Sequence, residues 1–391
     1  MKTQWNCLFI LIGILCITSS CSGPVETDNL RGIKIIQAPK KIEYLMGEPL
    51  DLNGLIIYNI YVNNDIEATT NYRISGDTFT AGSISITVTS NMDTAKTASF
   101  KITVADELIN TGLPVIYIKT KDAAPVVSKE DYVNGTMVIK QNNIIIHENT
   151  MRIRGRGNAT WGYPKKPYKI KLDNKTDFFG MGSDKDWVLL ANYCDKTLLR
   201  TSIAFELSKL MGFPWTPDAQ FVEVVLNRHY LGNYQLVEGI KKDSFRIDVS
   251  NSGYIIERDG YYLQEPKYFI TNDGYGYSFK YPDTDDLTDA QWNYILSYMN
   301  KFEAILSSDD FSNPSTGYQQ YIDIDSFVRW FLFQNIIANL DTNPYLTKAN
   351  DNATSKIHMG PVWDFEWSMG IGWYYGPRPR PANFASKSYT V

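Results

Sequence analysis

Histidine and cysteine are both scarce in this sequence. His147, His229 and His358 are the three histidines, scattered along 391 residues, which argues against a zinc site built on imidazoles. Of the four cysteines, Cys7 and Cys16 fall in an N-terminal apolar stretch that Cys21 closes, so only Cys194 is left for the folded part. A single thiol makes no internal disulfide, and the fold must rest on its core. With no histidine near it in the sequence, Cys194 reads as a packed, inert thiol rather than a nucleophile. A strong excess of one charge is also missing. The 38 Lys and Arg against 43 Asp and Glu give a net charge of −5, which does not suit a nucleic-acid binder. The apolar run Cys7–Ile17 is too short to read as an ordinary membrane span, and no internal repeat or low-complexity segment occurs.

What is present starts with "MKTQWNCLFILIGILCITSSC". A lysine near the start, an apolar core and then small residues are the layout of a bacterial secretion signal over residues 1–20. Small residues directly before Cys21 resemble the lipobox of lipoproteins, although Thr18 stands where that pattern prefers leucine. The expectation is export, with a lipid on Cys21 anchoring the protein to the cell envelope at the outer membrane or surface. A composition 43% hydrophobic and 21% charged is that of an ordinary globular protein, and the length allows two or three domains.

Residues 31–104 read as short strands broken at Gly, Asn and Asp: "GIKIIQ", "KIEYLMG", "LIIYNIYV", "NYRISG", "ISITVTS" and "ASFKITVA". That spacing suggests a small all-β sandwich, and the stretch resembles the bacterial Ig-like domains of surface proteins. From about residue 112 strand-like segments give way to helical ones such as "DAQWNYILSYMNKFEAILSS" and "DSFVRWFLFQNIIANLD", an α+β layout.

Several segments of this second region carry candidate chemistry. In "RGRGNATWGYPKKPYKIKL" the alternation from Lys166 places it on one face with Tyr168, Ile170 and Leu172, and Lys165, Pro167, Lys169 and Lys171 on the other. Lys166 is thus expected to point inward and the other lysines to be solvated. Gly155, Gly157 and Gly162 supply a turn whose N–H groups are able to approach an anion. In "DKTLLRTSIAFELSKLMG", Asp195 suits an N-cap and Gly212 a stop. Leu199, Ile203, Leu207 and Leu210 form a helical stripe that puts Glu206 at its buried edge, facing Lys166 or Arg200. "FVEVVLNRHYLGNYQLVEGIKKD" reads as a hairpin around "NRHYLG" followed by a linker, and Glu257 and Asp259 sit on a later strand. The helix beginning near Asp325 is apolar almost all round and is expected inside a helical lobe, with Asp341 terminating it against the helix dipole. Asn343 follows, and Asp364 comes in "GPVWDFEWSMG", where large apolar side chains bracket two carboxylates. A buried carboxylate shifts its pKa, finds a cation or holds a metal. Two such acids are able to share a divalent cation, or to divide into base and metal ligand.

The order of these parts resembles a protein kinase. More narrowly, "RGNATWGYPKKPYKIKL", "DKDWVLLANYCDKTLLR", "NYQLVEGIKKD" and "GPVWDF" are similar to the CotH family, the spore coat protein H kinases, over roughly residues 112–370. The resemblance implies an atypical kinase-like two-lobe domain over residues 112–391, with truncation at its C-terminus left open by the ending "YYGPRPRPANFASKSYTV". It implies that Lys166 contacts the nucleotide phosphates, held by Glu206, with Lys169 and then Lys171 as the alternatives. Asp341 would be the catalytic acid, Asp364 a Mg²⁺ ligand with Asn343 beside it, and Arg156 and Asn158 would shape the loop over the phosphates of ATP. Glu238, at the head of the linker, joins the nucleotide-binding set. The family usually shows "WDFD" where this chain has Glu366, which puts a second metal contact in question.

Two functions then stand against each other. One is an envelope-anchored kinase that phosphorylates a hydroxyl of a protein or another surface acceptor. The other is a non-catalytic surface or adhesion lipoprotein that uses the same shell as a binding scaffold, a reading favoured by the small supply of ATP outside the cytoplasm. The aromatic share of 14% allows a third, glycan binding through Tyr and Trp.

Overall fold

The computed structural model describes residues 30–339 and 341–370; the signal segment 1–20, Cys21 and the ending 371–391 lie outside the described residues. The chain divides into two compact units, one up to residue 107 and one from residue 108. The first unit is all β: β1 (Leu30–Gln37), β2 (Glu43–Met46), β3 (Ile56–Tyr61), β4 (Ile66–Thr69), β5 (Tyr72–Ser75), β6 (Gly82–Ser90) and β7 (Thr97–Leu108). They form an antiparallel three-stranded sheet, β1-β3-β4, and an antiparallel four-stranded sheet, β2-β7-β6-β5. Alternation decides which side chains go inside, most clearly in β7, where Phe100, Ile102 and Val104 are buried between exposed neighbours.

The second unit opens with β8 (Val115–Thr120), β9 (Val133–Gln141), β10 (Ile144–Gly155), β11 (Tyr168–Asp177) and β12 (Ser183–Leu190). Helix α1 (Arg200–Leu210) follows, then β13 (Ala219–Leu226) and β14 (His229–Glu238). These seven strands close into a barrel in the order β10-β11-β12-β14-β13-β8-β9. Strands β13 and β14 form the expected hairpin, and Asn227 and Arg228 at its tip both take positive φ (49° and 65°), as a tight two-residue hairpin turn requires. The barrel interior is packed with Ile116, Met137, Ile153, Ile170, Trp187, Leu189, Val222 and Leu236. It is a core rather than a channel.

The rest of the unit comprises β15 (Tyr254–Arg258), β16 (Tyr268–Ile270), β17 (Gly276–Tyr281), α2 (Asp289–Leu306), α3 (Ile324–Ile336), β18 (Tyr345–Lys348) and β19 (Ile357–Met359). The sheet order is β16-β17-β15-β18-β19. A second core joins this sheet to the helices through Ile256, Phe279, Ile295, Met299, Phe302, Trp330, Phe333 and Phe365. Helix α2 starts with a capping box, Thr288 accepting from Gln291 N–H while the Gln291 side chain reaches back. The whole is α+β.

Two helices depart from expectation. Helix α1 turns the opposite face inward: Thr201, Ala204, Phe205 and Ser208 are buried, while Leu199, Ile203 and Leu210 of the apolar stripe are exposed, Leu210 by 84%. The contact made by Phe205 outweighs the stripe, because its ring meets Phe365 at 5.9 Å and Trp363 at 6.1 Å inside the second core. Though α1 lies between barrel strands in sequence, it therefore packs with the second core. Helix α3 ends at Ile336 and not at Asp341, since Ala338 swings to φ 47°. It is also half-exposed rather than enclosed, with Val328, Leu332 and Ile336 at the surface.

The observed face of α1 yields a stability contrast. Phe205→Ala should cost about 3–5 kcal/mol, as large aromatic truncations in cores do. Leu210→Gln should stay within about 0.5 kcal/mol. Urea unfolding of both variants measures the difference, and equal losses would return the apolar stripe to the interior.

Candidate active site

A cleft of about 670 Å³ opens between the outer face of the barrel and the second sheet. Because the barrel interior is filled, the outward residues of β11 and β12 line it. Buried Tyr168, Ile170 and Leu172 alternate with Lys169 and Lys171, which face the cleft together with Asp186 and Val188 of β12. Gly239, Ile240 and Lys241 of the linker form its back, and Phe279, Lys280, Tyr345 and Trp363 its opposite wall. Residues Asp283, Asp285 and Asp286 edge the same wall.

Lys166 is not the inward lysine. Strand β11 starts at Tyr168, after Pro167, so the alternation does not extend back to residue 166. Its ammonium donates to the Trp161 carbonyl at 2.6 Å and lies over the Trp161 ring. The expected Lys166–Glu206 pair does not form. Glu206 is 67% exposed on its side chain and bonds to Lys209 one turn on at 2.9 Å. Arg200 instead grips the buried Asp195, and its Nε donates to the Ser368 carbonyl at 3.2 Å. Lys169, the alternative, does line the cleft. Burial depresses its pKa, and Lys171 and the arginines 154 and 156 push the same way while Asp186 opposes them.

The glycine turn is also built differently. A side chain at Gly155 would meet the Trp161 ring at 2.4 Å, so this glycine accommodates the tryptophan rather than an anion. Asn158 is exposed and accepts from Lys129 Nζ at 3.3 Å. Arg156 does reach the site: it lines the cleft and its guanidinium lies 5.6 Å from the Trp363 ring centre. Glu238 is buried away from the cleft. It accepts from Asp218 N–H at 2.9 Å and faces Arg246 Nε at 3.4 Å, and burial pushes its carboxyl up to about 7.

On the acidic side the two distant aspartates are brought within electrostatic reach of each other. Asp364 is exposed at its surface, yet the protein crowded behind it pushes its pKa up to about 6. Burial is the main cause; the charge of Asp341 adds to it and Arg156 partly offsets it. Burial raises Asp341 as well. The amide of the fully buried Asn339 ties their segments together, donating to the Asp364 carbonyl at 3.2 Å and accepting from Asp341 N–H at 3.4 Å. Asp364 adopts φ 66°, a left-handed conformation that Asp tolerates better than most residues. Asn343 is exposed two residues after Asp341. Glu366 is the third acid: 9% exposed, it carries an Oε2 with no hydrogen-bond partner, and burial and then Asp364 push it up to about 7.

Among the described residues no three His, Cys, Asp or Glu side chains are arranged to hold a metal ion by themselves. Asp341 and Asp364 nonetheless suit Mg²⁺, which is commonly held by one or two carboxylates with phosphate and water completing its shell. Their mutual repulsion is the kind of charge excess that a cation relieves.

A family model described as CotH kinase protein matches residues 152–390, more than half of the chain. The chain belongs to the CotH kinase family. A comparison with curated proteins returned no match. The CotH match takes in the whole cleft lining, from Arg156 to Trp363, together with both aspartates. Sequence reasoning missed Asp186 and Lys241 as cleft residues. The signal for Asp186 is alternation in "DKDWVLL", which sets it on the face opposite Trp187 and Leu189. Asn339 had no comparable signal.

The raised carboxyls fix a pH dependence. A carboxyl whose folded pKa lies above its unfolded value binds more protons when folded, so its contribution is present at low pH and is lost as pH rises through the folded pKa. For Asp364 that loss falls between pH 3.8 and about 6, and for Glu366 between pH 4.5 and about 7. Glu366→Gln should flatten this fall, by a few kcal/mol at most at about 1.4 kcal/mol per pH unit of displacement. Denaturation midpoints at pH 5 and pH 8 measure it, and identical slopes in wild type and variant would contradict the burial of that charge.

Proposed function

We propose that this CotH-family protein is an envelope-anchored kinase that transfers the γ-phosphate of ATP to a hydroxyl of a protein or surface polymer. The observation that carries the reading is the electrostatic coupling of Asp364 to both Asp341 and Arg156, the arginine itself lining the cleft with Lys169, Lys171 and Lys241 while Trp363 brings the Asp364 segment to its edge. The lysines and Arg156 match the charge of a triphosphate, and phosphoryl transfer asks of a protein mostly positioning and neutralisation.

In this reading Asp341 accepts the proton of the attacking hydroxyl. Burial raises its basicity, which suits a proton acceptor. The acceptor oxygen forms the new bond to the γ-phosphorus as the bond to the β-phosphate oxygen breaks, and ADP leaves with that electron pair. Asp364, with Asn343 available nearby, would hold Mg²⁺, which when bound neutralises charge on the phosphates. Arg156, over the Trp363 ring, lines the cleft and partly offsets the charge of Asp364. Export by segment 1–20, a lipid on Cys21 and an Ig-like spacer in the first unit complete the proposal and rest on the sequence patterns alone.

A second reading, a non-catalytic surface lipoprotein, draws on one observation. The lysine–glutamate pair that an active kinase-like site would place between Lys166 and Glu206 is not formed. Nucleotide binding separates the two. Millimolar Mg²⁺ with ATP should raise the melting temperature of the full chain, by linkage, and Asp364→Ala should abolish the shift. Asp341→Asn should keep the shift while reducing phosphate transfer at least 100-fold, measured with radiolabelled ATP on envelope extracts. No shift in the wild type would favour the scaffold, and full transfer by Asp341→Asn would remove it as the proton acceptor.

A further inference from the structure

We propose that Asp186, on a barrel strand, is the positioning residue that orients Lys169 in the cleft, the part that sequence logic gives to a helical glutamate. The nucleotide half of this proposal rests on the phosphotransfer reading; the lysine geometry does not.

The register of the barrel builds the arrangement. Pairing of β11 with β12 sets Lys171 directly across from Asp186 and Lys169 across from Val188, so that Lys169 reaches Asp186 on the diagonal. The Lys169 ammonium lies 4.0 Å from Asp186 Oδ1, while Lys241, arriving from the linker, holds Oδ2 at 2.7 Å. One carboxylate therefore serves lysines from two different walls. The two oxygens divide them, and Asp184 holds Lys241 from a second side at 3.1 Å. Asp186 is itself sheltered, with 14% of its side chain exposed, so its charge acts at short range rather than through screening water.

Lys169 needs such an anchor. The other charges acting on it are cationic, from Arg154, Lys171 and Arg156. Without a carboxylate, an ammonium in that company withdraws or loses its proton. Glu206 does not supply one, being bonded to Lys209 on an exposed helix face. Supporting the lysine from the neighbouring strand makes its placement a property of sheet register, fixed once the barrel folds.

Two measurements on the full chain test this. The first needs no nucleotide: acylation of Lys169 by acetic anhydride at pH 8, read by peptide mass. Asp186→Asn should raise its labelling rate at least three-fold, Asp186→Glu should restore it to within two-fold of wild type, and Glu206→Gln should leave it unchanged. The second is kinetic. Asp186→Asn should lower kcat at least ten-fold with less than a three-fold change in KM for Mg-ATP, because the lost anion misplaces and partly discharges Lys169 while Lys171, Lys241 and Arg156 still attract phosphate; Asp186→Glu should recover most of kcat. Labelling that follows Glu206→Gln and ignores Asp186→Asn would overturn the proposal, as would a loss of kcat that Asp186→Glu does not rescue while the labelling stays normal. A wild type that neither binds nor uses ATP would sink the phosphotransfer reading, and the labelling result would still decide the lysine's partner.

Discussion

One buried amide holds the acidic half of the site together. Asn339 bonds at once to the backbone at Asp341 and at Asp364, two points 23 residues apart in the chain. Breaking either bond would leave a polar group stranded in a fully buried setting, at about 1–3 kcal/mol each. A further main-chain bond, Met369 N–H to Ile337 carbonyl at 2.7 Å, fastens the same two segments on the far side. The early end of α3 now has a purpose. The turn at Ala338 frees the chain to carry Asn339 and Asp341 across to the other strand of the site. The carboxylates repel each other, so the holding force must come from neutral groups around them.

The apolar surroundings of the Asp-Phe segment follow from the same requirement. Phe365 is wedged between α1 and α3, its ring 5.9 Å from Phe205 and 5.7 Å from Phe333. That packing fixes the backbone to which Asp364 is attached. The left-handed φ of Asp364 costs on the order of 1 kcal/mol, which the burial of Phe365 and Val362 readily exceeds. Large rings around two carboxylates are thus the anchor of an otherwise unfavourable charge placement.

Many of the strand segments, the β13–β14 hairpin and helix α2 were legible in the sequence, because each rests on local signals: alternation, turn residues between apolar runs, helical periodicity. The site was legible in part. Asp364 stood out as an acid bracketed by large apolar side chains and Asp341 as the acid after an apolar helix; the helix ends earlier than expected, but the two acids still act on each other. The lysine was misread because the alternation was carried back past Pro167 to Lys166, where the strand has not begun. The face of Tyr168, Ile170 and Leu172 is the interior, as read, but in a closed, filled barrel the cleft lies on the outer side, so the cleft-facing lysines are those that looked solvated. The face of α1 failed for another reason. An apolar stripe predicts burial only when nothing more favourable competes, and Phe205 fits against two aromatic rings that arrive more than 150 residues later.

Once the lysine's partner is Asp186, helix α1 is released from the basic side of the cleft and serves the acidic side instead. Its first residue, Arg200, is clasped by Asp195 and reaches the Ser368 carbonyl, while Ser202 receives Gln235, which in turn accepts from Asn192 at 2.7 Å. The helix is braced between the barrel and the segment that carries Asp364. Lys169 and Lys171 are set by strand register, with Lys241 brought from the linker onto Asp184 and Asp186. In kinases whose lysine is held by a helical glutamate, moving that helix breaks the pair and so regulates activity. Here the same movement would leave Lys169 on Asp186 and disturb the aspartate side, so any control acting through α1 would act on the carboxylates and not on the cleft-facing lysine.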